Sequence, residues 1–150
     1  MTPRQKAQDI LTVLGSVEAE HRTLQSLLLR HQESLVGLDF SSALGVLEDF
    51  ARRTCRHRRV EEDDLLPVYS KLSEVPPDGE PEIFLQEHRE IEEQLDSLLT
   101  AARSISPSGD RRAVAVLVEQ AARLRVAIEQ HIRREEKTLL PALRAQLAPK

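Results

Sequence analysis

The sequence predicts an all-α protein that folds as an up-down-up-down antiparallel four-helix bundle. Its 150 residues are rich in the helix formers Leu, Ala, Glu, Arg and Gln, contain only five glycines, and show no strand-like alternation of apolar and polar residues. Segments rich in Pro, Gly, Ser and Asp interrupt the chain at 36–42, 73–81 and 104–110. Because short connections join antiparallel neighbours in bundles, these breaks favour four long helices in one domain over 1–150.

The predicted helices occupy four tracts whose apolar residues recur at steps of three and four. The tracts are 16–35, 41–72, 81–104 and 110–147, which places the core of the domain at about 16–147. Residues 5–14 are predicted to form a short leading helix that ends before Gly15. The expected inward rows are, in chain order, Val17, His21, Leu24 and Leu28; Leu47, Phe50, Thr54, His57, Glu61 and Leu65; Leu85, His88, Glu92, Leu95 and Leu99; and Leu117, Ala121, Leu124, Ile128, His131, Glu135 and Leu139.

Two pairs of similar strings indicate that the chain is an internal duplication. "HRRVEEDDLLP" at 57–67 matches "HIRREEKTLLP" at 131–141, and "EHRTLQSLL" at 20–28 matches "EHREIEEQL" at 87–95. Each half is predicted to be a helical hairpin with one His on its first helix and a His-x3-Glu pair on its second. The proline that closes each longer string is predicted to kink or end its helix. Two such hairpins can pair about a pseudo-twofold axis.

The inward rows carry four histidines and two glutamates at one level of the bundle, which predicts a metal centre. A His and a Glu four residues apart lie about 6 Å from each other on one helix face, a reach that suits two ligands of one centre. Unpaired polar groups cost roughly 1–3 kcal/mol each when buried, and bound metal would remove that cost. The predicted ligands are His21, His57, Glu61, His88, His131 and Glu135, with Glu92 as an additional candidate.

The donor set indicates which metal such a centre would hold. Imidazole and carboxylate without thiolate exclude a zinc-finger site, and six donors are more than one tetrahedral zinc uses. Two six-coordinate iron ions joined by an oxo or hydroxo bridge fit the donor count better and leave positions for water or a small substrate. Glu92, one turn after His88, could take one of these positions. Catalytic residues are otherwise unassigned, and the candidates for moving protons are Glu92 or a glutamate released from bridging.

Other polar residues near these rows have simpler structural interpretations. His31 lies ~15 Å beyond His21 along the helix axis, and it is predicted to be a core histidine. Glu62 and Glu136 lie one residue off the inward face and are expected at the bundle edge or beside the ligands. Tyr69 is predicted to be structural. The alternative to a metal centre as a whole is a metal-free structural bundle.

The composition is that of a protein with a surface of mixed charge. Its 21 basic and 25 acidic residues give a net charge of −4, and the basic string "RRTCRHRR" at 52–59 is followed at once by "EEDD". A self-paired helix face is preferred over a phosphate-binding patch, so no nucleic-acid partner is expected. No apolar run approaches the ~18 residues of a membrane span, and the single Cys55 cannot form an internal disulfide. A cytoplasmic location is therefore predicted, and the oligomeric state stays open, a monomer included.

The order and spacing of the candidate ligands resemble those of the hemerythrin-like, or HHE cation-binding, family. The residues that carry this resemblance, over about 16–145, are His21, His57-x3-Glu61, His88 and His131-x3-Glu135. The resemblance implies a four-helix bundle with a non-haem di-iron centre and an oxo or hydroxo bridge. It also implies that the four histidines are terminal ligands and that Glu61 and Glu135 bridge the two ions.

The chain departs from the oxygen-carrying members of that family in two places. Those members have a His-x3-His pair on the third helix, where this chain has Glu92 after His88, and they end in His-x4-Asp rather than His131-x3-Glu135. A carboxylate in place of a neutral nitrogen favours the ferric state, which suits peroxide chemistry better than oxygen storage. The H-HxxxE-H-HxxxE pattern resembles that of bacterial hemerythrin-like proteins, which implies catalase-like turnover of hydrogen peroxide in a stress response. Binding or sensing of oxygen, nitric oxide or iron without turnover is the alternative.

Overall fold

The computed structural model describes residues 2–105 and 110–148, and its long helical segments form a bundle. Its elements are α1 (Pro3–Val36), α2 (Phe40–Val60), a π-helical turn (Glu61–Leu65), α3 (Leu66–Tyr69), α4 (Pro81–Ser104), α5 (Arg111–Lys137) and α6 (Leu139–Leu147). The second segment runs from α2 through the π-helical turn to α3, and the fourth comprises α5 and α6. Helix α1 packs against α2 and α5, and α4 packs against the same two helices. The predicted all-α four-helix bundle is confirmed.

Side-chain caps fix where three of the helices begin. The Thr2 hydroxyl accepts a hydrogen bond from the backbone N–H of Gln5, the Gln5 side chain accepts one from the backbone N–H of Thr2, and Pro3 occupies the first turn of α1. Asp39 caps α2 and Asp110 caps α5, each through a backbone N–H of the first helical turn.

Within the described part of the chain, no helix is both long and apolar enough to cross a membrane.

Apolar side chains are buried in two clusters that lie on either side of a polar layer. Helix α1 shows this order most simply, because Val17 belongs to one cluster, Leu24 belongs to the other, and His21 lies between them. The cluster around Leu24, called the upper cluster here, also includes Leu28, Leu47, Phe50, Leu98 and Leu124. The lower cluster around Val17 also includes Leu14, Leu65, Tyr69, Phe84 and Leu139. The polar layer is thus enclosed by aliphatic and aromatic side chains, and every polar atom in it needs a partner inside the protein.

Both copies of the repeated string depart from α-helical geometry at or shortly after their paired glutamates. In the first copy, residues 61–65 form the π-helical turn, and in the second, Thr138 has φ −122° and ψ −66°. Pro67 and Pro141 account for both departures, because proline lacks a backbone N–H and its ring crowds the carbonyl four residues earlier. π-helical turns within α-helices are frequent at functional sites, and this one begins at Glu61.

Tyr69 ties the loop between α3 and α4 to the fourth helical segment. Its buried hydroxyl donates a hydrogen bond to the carbonyl oxygen of Gly79. A Cβ atom at Gly79 would lie 2.7 Å from the Tyr69 hydroxyl oxygen and 2.8 Å from Cβ of Thr138. The loop therefore needs glycine at this position to pack against the irregular residue between α5 and α6. Tyr69 has the structural role that the sequence predicts.

The expectation of a separate leading helix is wrong. Helix α1 continues without interruption through Gly15, and residues 5–14 are its first part. Leu14 and Val17, on either side of the glycine, are both buried in the lower cluster. This packing stabilises a continuous helix across a residue of low helix propensity.

The inward row expected on α4 is also wrong at Glu92, and Leu85 is only half-buried. The buried side chains of this helix follow Phe84, His88, Ile91 and Leu95, whereas Glu92 is exposed. A step of three from His88 places Ile91 on the buried face, and a step of four would have placed Glu92 there. Because the periodicity allows both steps, the side chain that suits an apolar environment takes the inward position.

Candidate metal centre

Six side chains from all four helical segments converge in the polar layer. They are His21 of α1, His57 of α2, Glu61 of the π-helical turn, His88 of α4, and His131 and Glu135 of α5. Three of the six, His21, Glu61 and Glu135, are fully enclosed at 0 % exposure. The structure therefore brings together the same six residues that the sequence singles out.

The donor atoms of these residues form two groups that share both carboxylates. One group contains His21, His57, Glu61 and Glu135, and the other contains Glu61, His88, His131 and Glu135. Within each group, one donor atom from every residue lies within 4.8 Å of the others. Each group could hold one metal cation, and the two shared glutamates could then contact both cations.

The contacts inside the layer join imidazole Nε2 atoms to carboxylate oxygens. The Nε2 atoms of His21 and His131 each lie 3.2 Å from Oε1 of Glu135. Nε2 of His88 lies 2.9 Å from Oε2 of Glu61, and Nε2 of His57 contacts Oε1 of the same glutamate. All four histidines thus present the same ring nitrogen to the centre of the bundle, and this arrangement leaves each Nδ1 atom facing outward.

Several of these buried atoms have no hydrogen-bond partner of acceptable geometry. They include Nε2 of His21, His57 and His131, Oε1 of Glu61, and both carboxylate oxygens of Glu135. Buried polar atoms are nearly always paired in proteins, and each unpaired one is costly. Imidazole nitrogen and carboxylate oxygen are both ligands for transition-metal cations. The donor set and its unpaired atoms therefore fit a bound cation.

The close contacts change the pKa values of the buried groups. Burial by itself lowers the pKa of His21, but the close contacts with the carboxylates of Glu135 and Glu61 outweigh it and raise that pKa to about 10. Burial likewise lowers the pKa of His131, whereas the negative charge of Glu135 raises it well above the ordinary value. Burial raises the pKa of Glu61, but contacts with Glu135 and His131 hold it well below its usual range. In the protein without metal, protonated His21 and His131 therefore lie beside the carboxylate of Glu61, and a cation that binds the same atoms displaces protons.

Three further carboxylates, called the outer carboxylates here, face the Nδ1 atoms of the histidines. Oε1 of Glu136 lies 3.1 Å from Nδ1 of His21, and Oε2 of Glu62 lies 3.4 Å from Nδ1 of His88. These two pairs are equivalent in the internal duplication, because each joins the His of one half to the second Glu of the other half. A carboxylate on the second ring nitrogen fixes the tautomer and orientation of a metal-binding histidine.

The third outer carboxylate, Glu87, contacts His131. Its Oε1 lies 3.1 Å from Nδ1 of His131, and its Oε2 accepts a hydrogen bond of 3.2 Å from Nε of Arg134. Burial raises the pKa of Glu87, but the contacts with His131 and Arg134 lower it overall. The sequence analysis missed Glu87, although the repeated "EHR" at 20–22 and 87–89 was a signal that a Glu precedes the His in both halves.

Glu20 is the counterpart of Glu87 in the first half of the chain, but its contacts are different. Its Oε1 lies 3.7 Å from Nη1 of Arg53. Among the described residues, Glu61 is the one carboxylate within 4.0 Å of His57. The four histidines therefore differ in their surroundings, since three have an outer carboxylate and His57 does not.

The remaining candidate residues lie outside the two donor groups. Glu92 is 51 % exposed and accepts a hydrogen bond from Nη1 of Arg58, so its direct binding to metal stays a prediction. His31 is buried at 1 % exposure in the upper half of α1, where burial lowers its pKa to about 4. Cys55 is half-buried and has a free thiol.

The fold and the site define a class of protein, a four-helix bundle with a buried His/Glu centre that can hold cations. The sequence model described as the hemerythrin HHE cation binding domain matches residues 12–143, which is most of the chain. The chain belongs to this family, as the resemblance of its motifs implies. Comparisons with curated proteins and with solved structures found no significant match.

Proposed function

We propose that this chain is a single-domain, non-haem di-iron protein in which His21, His57, His88 and His131 are terminal ligands and Glu61 and Glu135 bridge the ions. The observation that carries the proposal is the pair of donor groups that share both glutamates. Two iron ions suit these groups better than one zinc, because the donors are too many for a single tetrahedral ion and include no thiolate.

The proposed reaction is the disproportionation of hydrogen peroxide, in which two molecules of peroxide give two of water and one of oxygen, as part of a bacterial stress response. A bound di-iron pair would supply the store of two electrons that passes between the two peroxide molecules. Five carboxylates around the layer support this reaction over reversible oxygen carriage, since negative charge favours the oxidised ions. They are Glu61, Glu62, Glu87, Glu135 and Glu136.

The protein residues have separable roles in this proposal. The outer carboxylates orient the imidazoles through Nδ1, and the two apolar clusters exclude water from above and below. Glu92 lies with Arg58 beside a cavity that reaches His57 and His88, and it is the proposed group for exchanging protons with solvent. A cytoplasmic location is part of the proposal and is supported by the free thiol of Cys55.

Metal analysis and a peroxide assay on the same sample test the proposal. We expect two irons per chain, charge-transfer absorption in the near ultraviolet, and oxygen evolution on adding peroxide. His57→Ala should abolish oxygen evolution, whereas His31→Ala, which removes a buried histidine outside the donor groups, should retain iron and activity. Purified protein without iron would refute the di-iron centre.

The same sample separates turnover from binding. A spectrum that responds reversibly to oxygen or nitric oxide after reduction, together with iron but without oxygen evolution from peroxide, would replace the enzyme by a binding or sensing module. Sustained oxygen evolution in proportion to iron content supports the enzyme. Both measurements use the full chain. Circular dichroism of each variant shows whether it has kept its fold.

A further inference from the structure

A cavity of about 200 Å³ lies between α2 and α4, beside the metal centre. Its inner end is formed by the rings of His57, His88 and His131, whereas His21 and both bridging glutamates lie outside it. The cavity therefore reaches both donor groups from one side of the bundle. Three of the six candidate ligands thus contribute to the lining of the cavity.

The volume of this cavity exceeds what a peroxide or dioxygen molecule needs. A cavity of ~150 Å³ lined by aliphatic and aromatic side chains binds benzene, and a water molecule occupies only ~30 Å³ in the liquid. Apolar cavities also reduce the stability of a fold, because the side chains that line them lose packing contacts. A cavity of this size beside the candidate centre is consistent with a ligand of six to eight non-hydrogen atoms, on the order of one substituted benzene ring.

The walls and the mouth of the cavity indicate the chemistry of that ligand. Leu24, Ile91, Leu95 and Ile128 line its middle, so the body of the ligand is apolar. The polar part of the lining consists of the three imidazoles, the buried hydroxyl of Thr54, the thiol of Cys55 and the charged side chains of Arg58, Glu92 and Asp96. A molecule that fits has an apolar body and one polar group that faces the imidazoles.

The charged residues at the mouth are already paired with each other. Nη1 of Arg58 contacts Oε2 of Glu92, and Nε of Arg58 lies 3.5 Å from Oε2 of Glu62. Because the guanidinium is neutralised by two carboxylates, the mouth offers no free cation to attract an anionic ligand. Glu62 in turn contacts Nδ1 of His88, so this ion-paired chain joins the mouth to a candidate metal ligand.

We infer that the cavity binds a small neutral organic molecule, of the size of a phenol, with its apolar body between α2 and α4 and its oxygen toward the imidazoles. The apolar walls are formed by side chains that are not candidate ligands, so binding of the apolar body does not require iron. Only the preference for an oxygen at the inner end rests on the proposed function.

Fluorine NMR titrations of the full chain with fluorobenzene and para-fluorophenol test this inference. Ala51→Leu fills the cavity, and Ala101→Leu makes the same change at a half-buried position of α4 outside it. Both probes should bind saturably to the metal-free wild type, about tenfold more weakly to Ala51→Leu, and within about twofold of wild type to Ala101→Leu. Loading with iron should strengthen binding of the phenol and leave that of fluorobenzene unchanged.

A second filling variant covers the case in which Ala51→Leu does not fold. Thr54 also lines the cavity, and its hydroxyl is buried without a hydrogen-bond partner, so Thr54→Leu loses no hydrogen bond. The inference is overturned if neither probe binds saturably to the wild type. It is also overturned if binding is unchanged in a folded Ala51→Leu or Thr54→Leu variant. Binding of fluorobenzene by a chain that takes up no iron supports the cavity and refutes only the di-iron proposal. Equal effects of iron on both probes overturn the orientation of the oxygen.

Discussion

His31 makes the stability of the protein depend on pH in a way that one substitution removes. Burial lowers its pKa from 6.5 to about 4, and its Nδ1 atom has no hydrogen-bond partner. The unfolded chain therefore binds a proton between pH 6.5 and pH 4 that the folded chain does not bind. The free energy of unfolding falls as the pH falls through this window, because protonation of His31 favours the unfolded state.

The size of this effect follows from the difference between the two pKa values. With ~1.4 kcal/mol for each tenfold difference in proton affinity, the shift from 6.5 to about 4 costs at most about 3 kcal/mol on going from neutral pH to pH 4. His31→Met fills a similar volume with a side chain that does not titrate. The variant should lack this part of the pH dependence and should also lose an unpaired buried nitrogen.

Urea unfolding of metal-free protein, followed by circular dichroism at several pH values from 7 down to about 4.5, measures the effect. All other titratable groups are the same in the two proteins, so the difference between wild type and His31→Met isolates His31. The variant should gain stability relative to wild type at each lower pH, and the gain should begin below about pH 6.5. Parallel stability curves for the two proteins would refute the assignment of His31 as a buried neutral imidazole.

Four further substitutions test other parts of the structure. Glu87→Gln should weaken iron binding by about 10- to 100-fold in a competition with a chelator, whereas the exposed Glu93→Gln on the same helix should not. Gly79→Ala should destabilise the fold by about 1–3 kcal/mol, and Tyr69→Phe by a similar amount, in thermal or urea unfolding; unchanged midpoints would contradict the packing described. Glu92→Ala should keep its iron but change the rate with peroxide, and loss of most iron would make Glu92 a ligand.

The duplicated His-x3-Glu pairs made the centre predictable from the sequence. A helix places residues four apart on one face, and the repeat of this spacing in both halves leaves few other ways to pair the two hairpins. His57 with Glu61 and His131 with Glu135 therefore meet as expected. The prediction needed no knowledge of side-chain conformations, because it depended only on which face each residue occupies.

The features that the sequence analysis missed depend on distances between helices. Glu87 lies one residue before His88, yet it contacts His131 on a neighbouring helix, and helical periodicity within α4 contains no information about that contact. The π-helical turn changes the register after Glu61 by a hydrogen-bonding pattern that residue spacing does not specify. At Glu92, steps of three and four were both possible, and the choice depended on packing against the upper cluster.

Glu20 and Glu87 occupy equivalent places in the two hairpins, but Glu20 contacts Arg53 and Glu87 contacts His131. As a result, the two donor groups of the candidate metal centre have different surroundings. Loading of the two proposed cations should accordingly proceed in two steps of unequal affinity, and a half-loaded chain should exist as a distinct species over part of the titration.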